Sequence, residues 1–179
     1  VSVLGGSYVY DGTAKYPTVT GNMPVGADGS SPSFSFSRGV VNTFDSPYVI
    51  VSFSSLSKNY CSPTDVIVEV EVTPLGVMAY WSALTLVYNG SAQAPSATCS
   101  ECTVKVSGAE VNSGKYVATA IADDVNYFIL NESIEYTIEK ASNVWLTPIS
   151  AKDVYLGDEP AVEAEALCGT VEYRFYSDS

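Results

Sequence analysis

The sequence contains no histidine, and its 8 lysine and arginine residues face 20 aspartate and glutamate residues, a formal net charge of −12. Histidine is the commonest general base and metal ligand near neutral pH, so its absence removes the usual centre of hydrolytic and metal chemistry. An acidic chain without a basic patch cannot neutralise phosphates. We therefore expect neither nucleic acid nor an anionic membrane surface as a partner.

Long apolar runs are also missing. No stretch approaches the roughly 18 uninterrupted apolar residues of a transmembrane helix, so no membrane insertion is expected in this segment. The first residues lack the basic and apolar regions of a signal peptide, which predicts either a cytosolic protein or residues of a longer, processed chain. Hydrophobic residues nevertheless make up 46% of the chain, enough to build a core.

The sequence does contain segments in which apolar and polar residues alternate with a period of two, a pattern typical of half-buried β-strands. Two segments show it best, Thr64–Thr73 and Ser133–Lys140, where apolar residues occupy one face and glutamates the other. The apolar faces are Val66, Val68, Val70 and Val72 in the first segment, and Ile134, Tyr136 and Ile138 in the second. The best helical candidate, Ala161–Leu167, is short, offers no N-cap and lies where the rest of the chain predicts a strand. The sequence therefore predicts an all-β protein.

An internal repeat is the strongest signal in the sequence. Three segments begin with a Tyr-x-Gly turn, at Tyr10 to Gly12, Tyr88 to Gly90 and Tyr155 to Gly157. The first two copies also share later landmarks: Tyr48-Val49 matches Tyr116-Val117, and Asn59-Tyr60 matches Asn126-Tyr127. The predicted repeats span 1–73, 74–141 and 142–179, and the first has a Gly-, Pro- and Ser-rich insertion near 21–32.

The second repeat resembles a known family. Its motifs are Leu84-Thr85-Leu86-Val87-Tyr88-Asn89-Gly90, Ala94-Pro95, Val106-Ser107-Gly108-Ala109, Asn112-Ser113-Gly114-Lys115-Tyr116-Val117-Ala118-Thr119-Ala120 and Asn126-Tyr127. They are similar to the MBG/YDG-type repeats that occur in tandem in bacterial cell-surface proteins. The resemblance implies small Ig-like β-sandwich modules, with β-grasp-like modules as the alternative, and it carries no catalytic or binding residues. It is looser in the first copy and reaches only the front half of the third.

The third repeat is incomplete, because the positions equivalent to Lys115–Lys140 have no counterpart before Ser179. Half of a β-module leaves exposed edges and an uncovered apolar face, predicted at Val171, Tyr173 and Phe175. Three explanations stay open: a chain that continues, strands supplied by a neighbouring subunit, or packing of the short end on the second repeat. We favour the first.

The four cysteines do not form a metal-site pattern. Cys99 and Cys102 make a C-x-x-C between strand patterns, for which a local disulfide or two reduced thiols are the alternatives. Cys61 and Cys168 are single residues that could be free, paired with each other or paired between chains. Sequence alone does not decide the connectivity.

No other motif points to catalysis or to a cofactor. The acidic pairs Asp123-Asp124 and Asp158-Glu159 lie in predicted turns, and no Ca²⁺ loop, phosphate loop or nucleophile elbow is present. Lys105, Lys140 and Asn143 are residues of the type that forms a Lys–Asn isopeptide bond, but Lys105 falls on the polar face of its strand and no lysine recurs at one position in all three copies. We expect no enzyme activity, no cofactor and no bound metal.

Three functions follow from these observations. The preferred one is a structural and adhesive repeat region of a secreted or surface-anchored bacterial protein, located outside the cell or at its surface. The alternatives are a self-assembling filament subunit that exchanges strands through the incomplete third repeat, and a glycan-binding module using tyrosines near the inserted loop, such as Tyr16. The partners would be a surface protein or glycan of a host or neighbouring cell, or further copies of the chain.

Overall fold

The structure is a computed structural model. It describes residues 1–55, 57–151, 162–172 and 174, but not the side chains of residues 148–151 and 162–163. Every regular element in this part of the chain is a β-strand, which confirms the predicted all-β class. The segment Ala161–Leu167 contains the strand Val162–Ala166, in line with the strand predicted there from the other repeats. The third copy's turn residues, Tyr155 and Gly157, lie outside the described residues.

The first repeat contains six strands. They are β1 (Ser2–Leu4), β2 (Gly6–Val9), β3 (Thr18–Thr20), β4 (Ser33–Phe36), β5 (Tyr48–Ser54) and β6 (Val66–Thr73). Strands β1 and β3 form an antiparallel pair, and the other four form a sheet in the order β2-β6-β5-β4, in which only the β2–β6 pair is parallel. The predicted insertion, 21–32, contains no strand and runs between β3 and β4.

The second repeat has the same arrangement. Its strands are β7 (Leu75–Val77), β8 (Tyr80–Trp81), β9 (Thr85–Val87), β10 (Ala97–Thr98), β11 (Val104–Ser107), β12 (Gly114–Ala122), β13 (Tyr127–Ile129) and β14 (Ser133–Glu139). The sheet order is β9-β14-β12-β11, again with one parallel pair, β9–β14, at one edge. The additional parallel pair β7–β13 was not predicted from the sequence.

A short antiparallel pair recurs at the front of all three repeats in the same register. Ser2 pairs with Thr20 in β1–β3, and Tyr80 pairs with Thr98 in β8–β10. In the third repeat, β15 (Trp145–Ala151) and β16 (Val162–Ala166) bring Thr147 opposite Glu165. Each of these three pairings joins residues 18 positions apart at equivalent places in the repeats, although the register of β15–β16 shifts on both sides of Thr147. By contrast, Val171 belongs to no strand, and the other two residues of the predicted apolar face, Tyr173 and Phe175, lie outside the described residues.

Each of the first two repeats has its own core. In the first, Val40, Val49, Val70 and Val72 are buried against Tyr8, Tyr10 and Phe36. In the second, two clusters meet at Trp81 and Val106, one centred on Ala120 and the other on Tyr136 and Ile138. In β6 and β14 the glutamates are exposed as predicted, and the buried residues are Val70, Val72, Tyr136 and Ile138. Val66, which was predicted on the apolar face, is exposed at the start of β6. No core cluster in the described chain combines residues from both sides of Thr73.

Candidate functional site: the joint between two repeats

The first and second repeats meet at one buried polar side chain, Asn126, which immediately precedes β13 and is only 4% exposed. Its Oδ1 accepts the backbone N–H of Thr43 at 2.9 Å and the Thr43 hydroxyl at 3.2 Å. Its Nδ2 donates to Oδ1 of Asn42 at 3.2 Å. A buried amide is stable only when its polar atoms are paired, and here the partners come from the other repeat.

Local turns hold both sides of this contact. On the first repeat, the Asp45 carboxylate accepts the backbone N–H groups of Val41 and Asn42 at 2.9 and 2.8 Å. These two bonds lower the pKa of Asp45, because they stabilise the charged form. On the second repeat, Asp124 accepts the backbone N–H of Asn126 at 2.9 Å. Both aspartates act as turn formers of the kind that fix a backbone before a strand.

An aromatic contact completes the joint. The rings of Tyr10 and Tyr127 lie edge to face, with centroids 5.3 Å apart and planes inclined by 80°. Burial raises the pKa of Tyr127, and the neighbouring Tyr10 and Asp124 add to the effect. Such pairs contribute about 0.5–1.5 kcal/mol beyond the area that they bury. We call the set Tyr10, Asn42, Thr43, Asn126 and Tyr127 the Asn126 joint.

The Tyr-x-Gly turns have the same geometry in the first two repeats. Gly12 and Gly90 have φ values of +75° and +81°, a region that favours glycine. Asp11 accepts the N–H of Thr13 at 2.8 Å, and Asn89 accepts that of Ser91 at 2.9 Å. Tyr10 packs on the first core and reaches the joint, but Tyr88 is exposed. Tyr136, on the predicted apolar face of β14, is buried as expected.

Cys99 and Cys102 are close together and half-buried, and both are thiols in this structure. The Cys99 sulfur donates to Oε2 of Glu101 at 3.2 Å, which lowers the pKa of that carboxyl. Burial raises the pKa of Cys102 to about 11, and the adjacent Cys99 adds to the effect. A thiol with a raised pKa is a poor nucleophile, so Cys102 is not an activated thiolate. The local disulfide stays a prediction.

Cys61 and Cys168 are exposed free thiols in different repeats. Cys61 lines a cleft of about 320 Å³ beside the inserted loop, together with Pro24, Gly26 and Tyr60. In that loop the Asp28 carboxylate accepts hydrogen bonds from the side chains of Ser30, Ser57 and Asn59. These bonds hold the pKa of Asp28 well below its usual range. The loop is therefore tied to the segment after β5 by polar contacts.

Four aromatic rings form a row on the first repeat: Tyr16, Phe36, Phe34 and Phe53, whose neighbouring centroids are 5.3, 5.6 and 6.4 Å apart. Phe36 and Phe53 are half-buried, and Phe36 packs on the first core. Tyr16 and Phe34 are both exposed. We call this set the aromatic row. The neighbouring ring planes are inclined by 35°, 62° and 55°.

The acidic pair Asp123-Asp124 lies in the described part of the chain, and Asp158-Glu159 lies outside it. Among the described residues, no group of three or more cysteine, aspartate or glutamate side chains could hold a metal ion. Lys105 is exposed and paired with Asp123, so it lacks the buried surroundings that an isopeptide bond needs. The described part of the chain also contains no helix that is long and apolar enough to span a membrane.

Comparisons with protein-family models, curated proteins and solved structures found no match. The sequence shows Asn126-Tyr127 as a motif shared by two repeats, but it does not predict that these residues contact the neighbouring repeat. One signal was available: Val41-Asn42-Thr43 and Val111-Asn112-Ser113 are nearly the same tripeptide, each following a bridged residue.

Proposed function

We propose that this chain is a non-catalytic spacer and interaction region, built from tandem small Ig-like modules, in a secreted or surface-anchored bacterial protein. Two successive repeats share strand order, strand direction and turn geometry, and each has a separate core. That organisation suits a chain that gains reach by adding units in series.

The observation that carries the proposal is the Asn126 joint. A spacer must fix the direction of one unit relative to the next, and a buried amide does so better than an apolar contact because its hydrogen bonds have directions. The three bonds between Asn126 and the Asn42-Thr43 turn join the two units at one defined place. The edge-to-face Tyr10–Tyr127 pair restricts rotation about that place.

Intact cells of the source organism test the surface location. Antibodies raised against the chain should label intact cells, and brief protease treatment of those cells should remove the label. An antibody against a cytoplasmic protein serves as the control and should label only permeabilised cells. Label that appears only after permeabilisation would contradict the proposal.

The filament is the second candidate, favoured by the exposed thiols Cys61 and Cys168 on different repeats. Sedimentation of the chain with and without reductant tests it. Filament assembly predicts concentration-dependent polymers, and disulfide-linked assembly predicts that Cys61→Ser or Cys168→Ser abolishes the species stable without reductant. A single monomeric species at all concentrations would contradict the filament.

The aromatic row supports the third candidate, a glycan-binding surface. A glycan array probed with the chain, with Tyr16→Ala and with Phe34→Ala tests it, and Tyr48→Ala is the control because Tyr48 is exposed outside the row. Binding that both row variants lose and the control keeps would support a glycan ligand. A blank array would count against it.

A further inference from the structure

Strand β4 forms one edge of the first repeat's sheet, and part of its backbone points away from that sheet. Its neighbour in the sheet is β5, in an antiparallel ladder. The Ser37 N–H donates to the Ile50 carbonyl at 2.9 Å, so the odd-numbered residues direct their N–H and C=O groups toward β5. The N–H and C=O groups of Phe34 and Phe36 therefore point outward. Among the described residues, no strand pairs with this edge.

The second repeat shows that neighbouring repeats leave this edge open. The counterpart of β4 is β11, which is likewise an edge of its four-stranded sheet. The first repeat meets the second at the Asn126 joint, and the third lies beside Tyr88 and Asn112. In the described part of the chain, no strand pairs with the outer edge of β11 either. The open edge therefore belongs to the fold of each repeat, whether or not further repeats precede or follow.

Strand β4 lacks the charge that commonly keeps edge strands apart, which is most often a lysine. Strand β11 has one, since Lys105 lies within it and is exposed. Counting back from the bridged residues Val40 and Glu110, its counterpart in β4 is Ser35. None of the 20 acidic residues lies in β4 or β5. Two copies of this chain, each with a net charge of −12, can therefore meet at β4 without bringing like charges together.

The sequence of β4 is also complementary to itself. Residues 33–37 read Ser-Phe-Ser-Phe-Ser, the same in both directions about Ser35. In an antiparallel pair centred on Ser35, Phe34 of each copy lies opposite Phe36 of the other, and each such pair exchanges two backbone hydrogen bonds. The pairing also places a second ring beside Phe34, which is 43% exposed. Pro32, which has no N–H, ends the pairing on one side.

We propose that β4 is an interaction surface for a second copy of this chain, which pairs through its own β4 about a two-fold axis at Ser35. The two four-stranded sheets then form one continuous sheet across the axis. A two-fold pair is closed, so it joins two chains and does not extend into a filament. It is also small, because each copy contributes residues 33–37 where a standard interface has about 20–30 residues a side. The contact therefore acts where many copies are held side by side, and in this respect the inference rests on the proposed function.

Sedimentation velocity of the full chain in reductant, at concentrations up to about 1 mM, tests the association. We expect a concentration-dependent mixture of monomer and dimer. Ser35→Lys gives β4 the lysine that β11 carries and places two like charges opposite each other, so it should weaken the dimer about tenfold or more. Ser7→Lys, on the other edge of the same sheet, is the matched control and should leave the dimer unchanged.

Engineered cysteines test the register, in a chain whose exposed Cys61 and Cys168 are replaced by serine. Ser35 and its copy form a non-hydrogen-bonded pair with Cα atoms about 4.5 Å apart, a distance that a disulfide can bridge. With a small disulfide as the oxidant, Ser35→Cys should therefore give a covalent dimer. Ser33→Cys should not, because its two copies lie about 13 Å apart along the paired strands.

Three results would overturn the proposal: a chain that sediments as a monomer at every concentration, a Ser35→Lys variant that dimerises like the wild type, or Ser33→Cys crosslinking as readily as Ser35→Cys. Polymers larger than a dimer that persist in Ser35→Lys would also overturn it and would favour the filament. Surface labelling of intact cells is independent of these results, so failure here would leave the proposed function standing.

Discussion

Asn126 is the one buried polar residue among the described residues, and its hydrogen bonds reach the neighbouring repeat. Asn126→Ala leaves the Thr43 N–H without its partner at a half-buried site. We expect a loss of about 1–3 kcal/mol in the free energy of unfolding, measured by denaturant titration.

The chain supplies a matched control for this change. Asn59 is the sequence counterpart of Asn126 in the first repeat but is exposed. Asn59→Ala should change stability by less than about 0.5 kcal/mol. Equal losses in the free energy of unfolding for the two substitutions would show that the contacts of Asn126 in the joint do not stabilise the protein.

Asp45 makes the joint sensitive to acid. Its folded-state pKa is lowered by the N–H groups of Val41 and Asn42, so its contribution is present above the unfolded pKa of about 3.9 and is lost as the pH falls through the folded value. Denaturant titrations at about pH 5 and about pH 2.5 should show a loss of stability that Asp45→Asn reduces, because asparagine does not titrate. An unchanged pH dependence in Asp45→Asn would contradict this role.

The cysteines should differ in reactivity under reducing conditions. Cys61 and Cys168 are exposed, whereas Cys102 has a pKa of about 11 and holds only about one thiolate per thousand at pH 8. In alkylation with iodoacetamide at pH 8, followed by peptide mass spectrometry, Cys102 should be modified after the two exposed cysteines. Modification of Cys102 at an equal rate would show that its surroundings are more open.

At the scale of the element, the turn between β11 and β12 is more constrained than the Tyr-x-Gly turn. Gly108 has φ +90°, and a Cβ there would lie 2.4 Å from the Val117 carbonyl oxygen, whereas Gly90 has φ +81° with open space around it. Gly90→Ala should cost about 1–2 kcal/mol from its backbone conformation alone.

Gly108→Ala should cost more than Gly90→Ala, because it adds a steric clash with backbone to the same conformational strain. Thermal or denaturant unfolding of the two variants measures the difference. Equal losses would indicate that β11 and β12 move apart without cost.

Strands that alternate strictly could be predicted from the sequence, and strands held by distant partners could not. In β6 and β14 one face packs on the core and the other faces solvent, so the alternation of apolar and polar residues is visible in a single sequence. Strand β7 has three residues and forms because β13 runs beside it, more than 50 residues later. The pairing, not the local pattern, makes it a strand.

At the scale of the whole molecule, separate cores predict separate responses to damage. Ile138→Ala removes a fully buried side chain from the second repeat and should cost about 2–5 kcal/mol. Hydrogen exchange read by mass spectrometry should show faster exchange in peptides from 74–141 and little change in those from 1–73. Uniformly faster exchange would mean that the two repeats unfold as one unit.

The amino-acid sequence determined that the chain is all-β and that its turns recur, because periodicity and turn residues are local properties that survive in a single sequence. Only the tertiary structure decided what the recurring residues do. Tyr10 and Tyr88 occupy the same turn, yet one contacts Tyr127 and the other borders a cleft. Burial and hydrogen bonding depend on which residues a distant segment brings alongside, and that contact is not encoded in the spacing of either tyrosine.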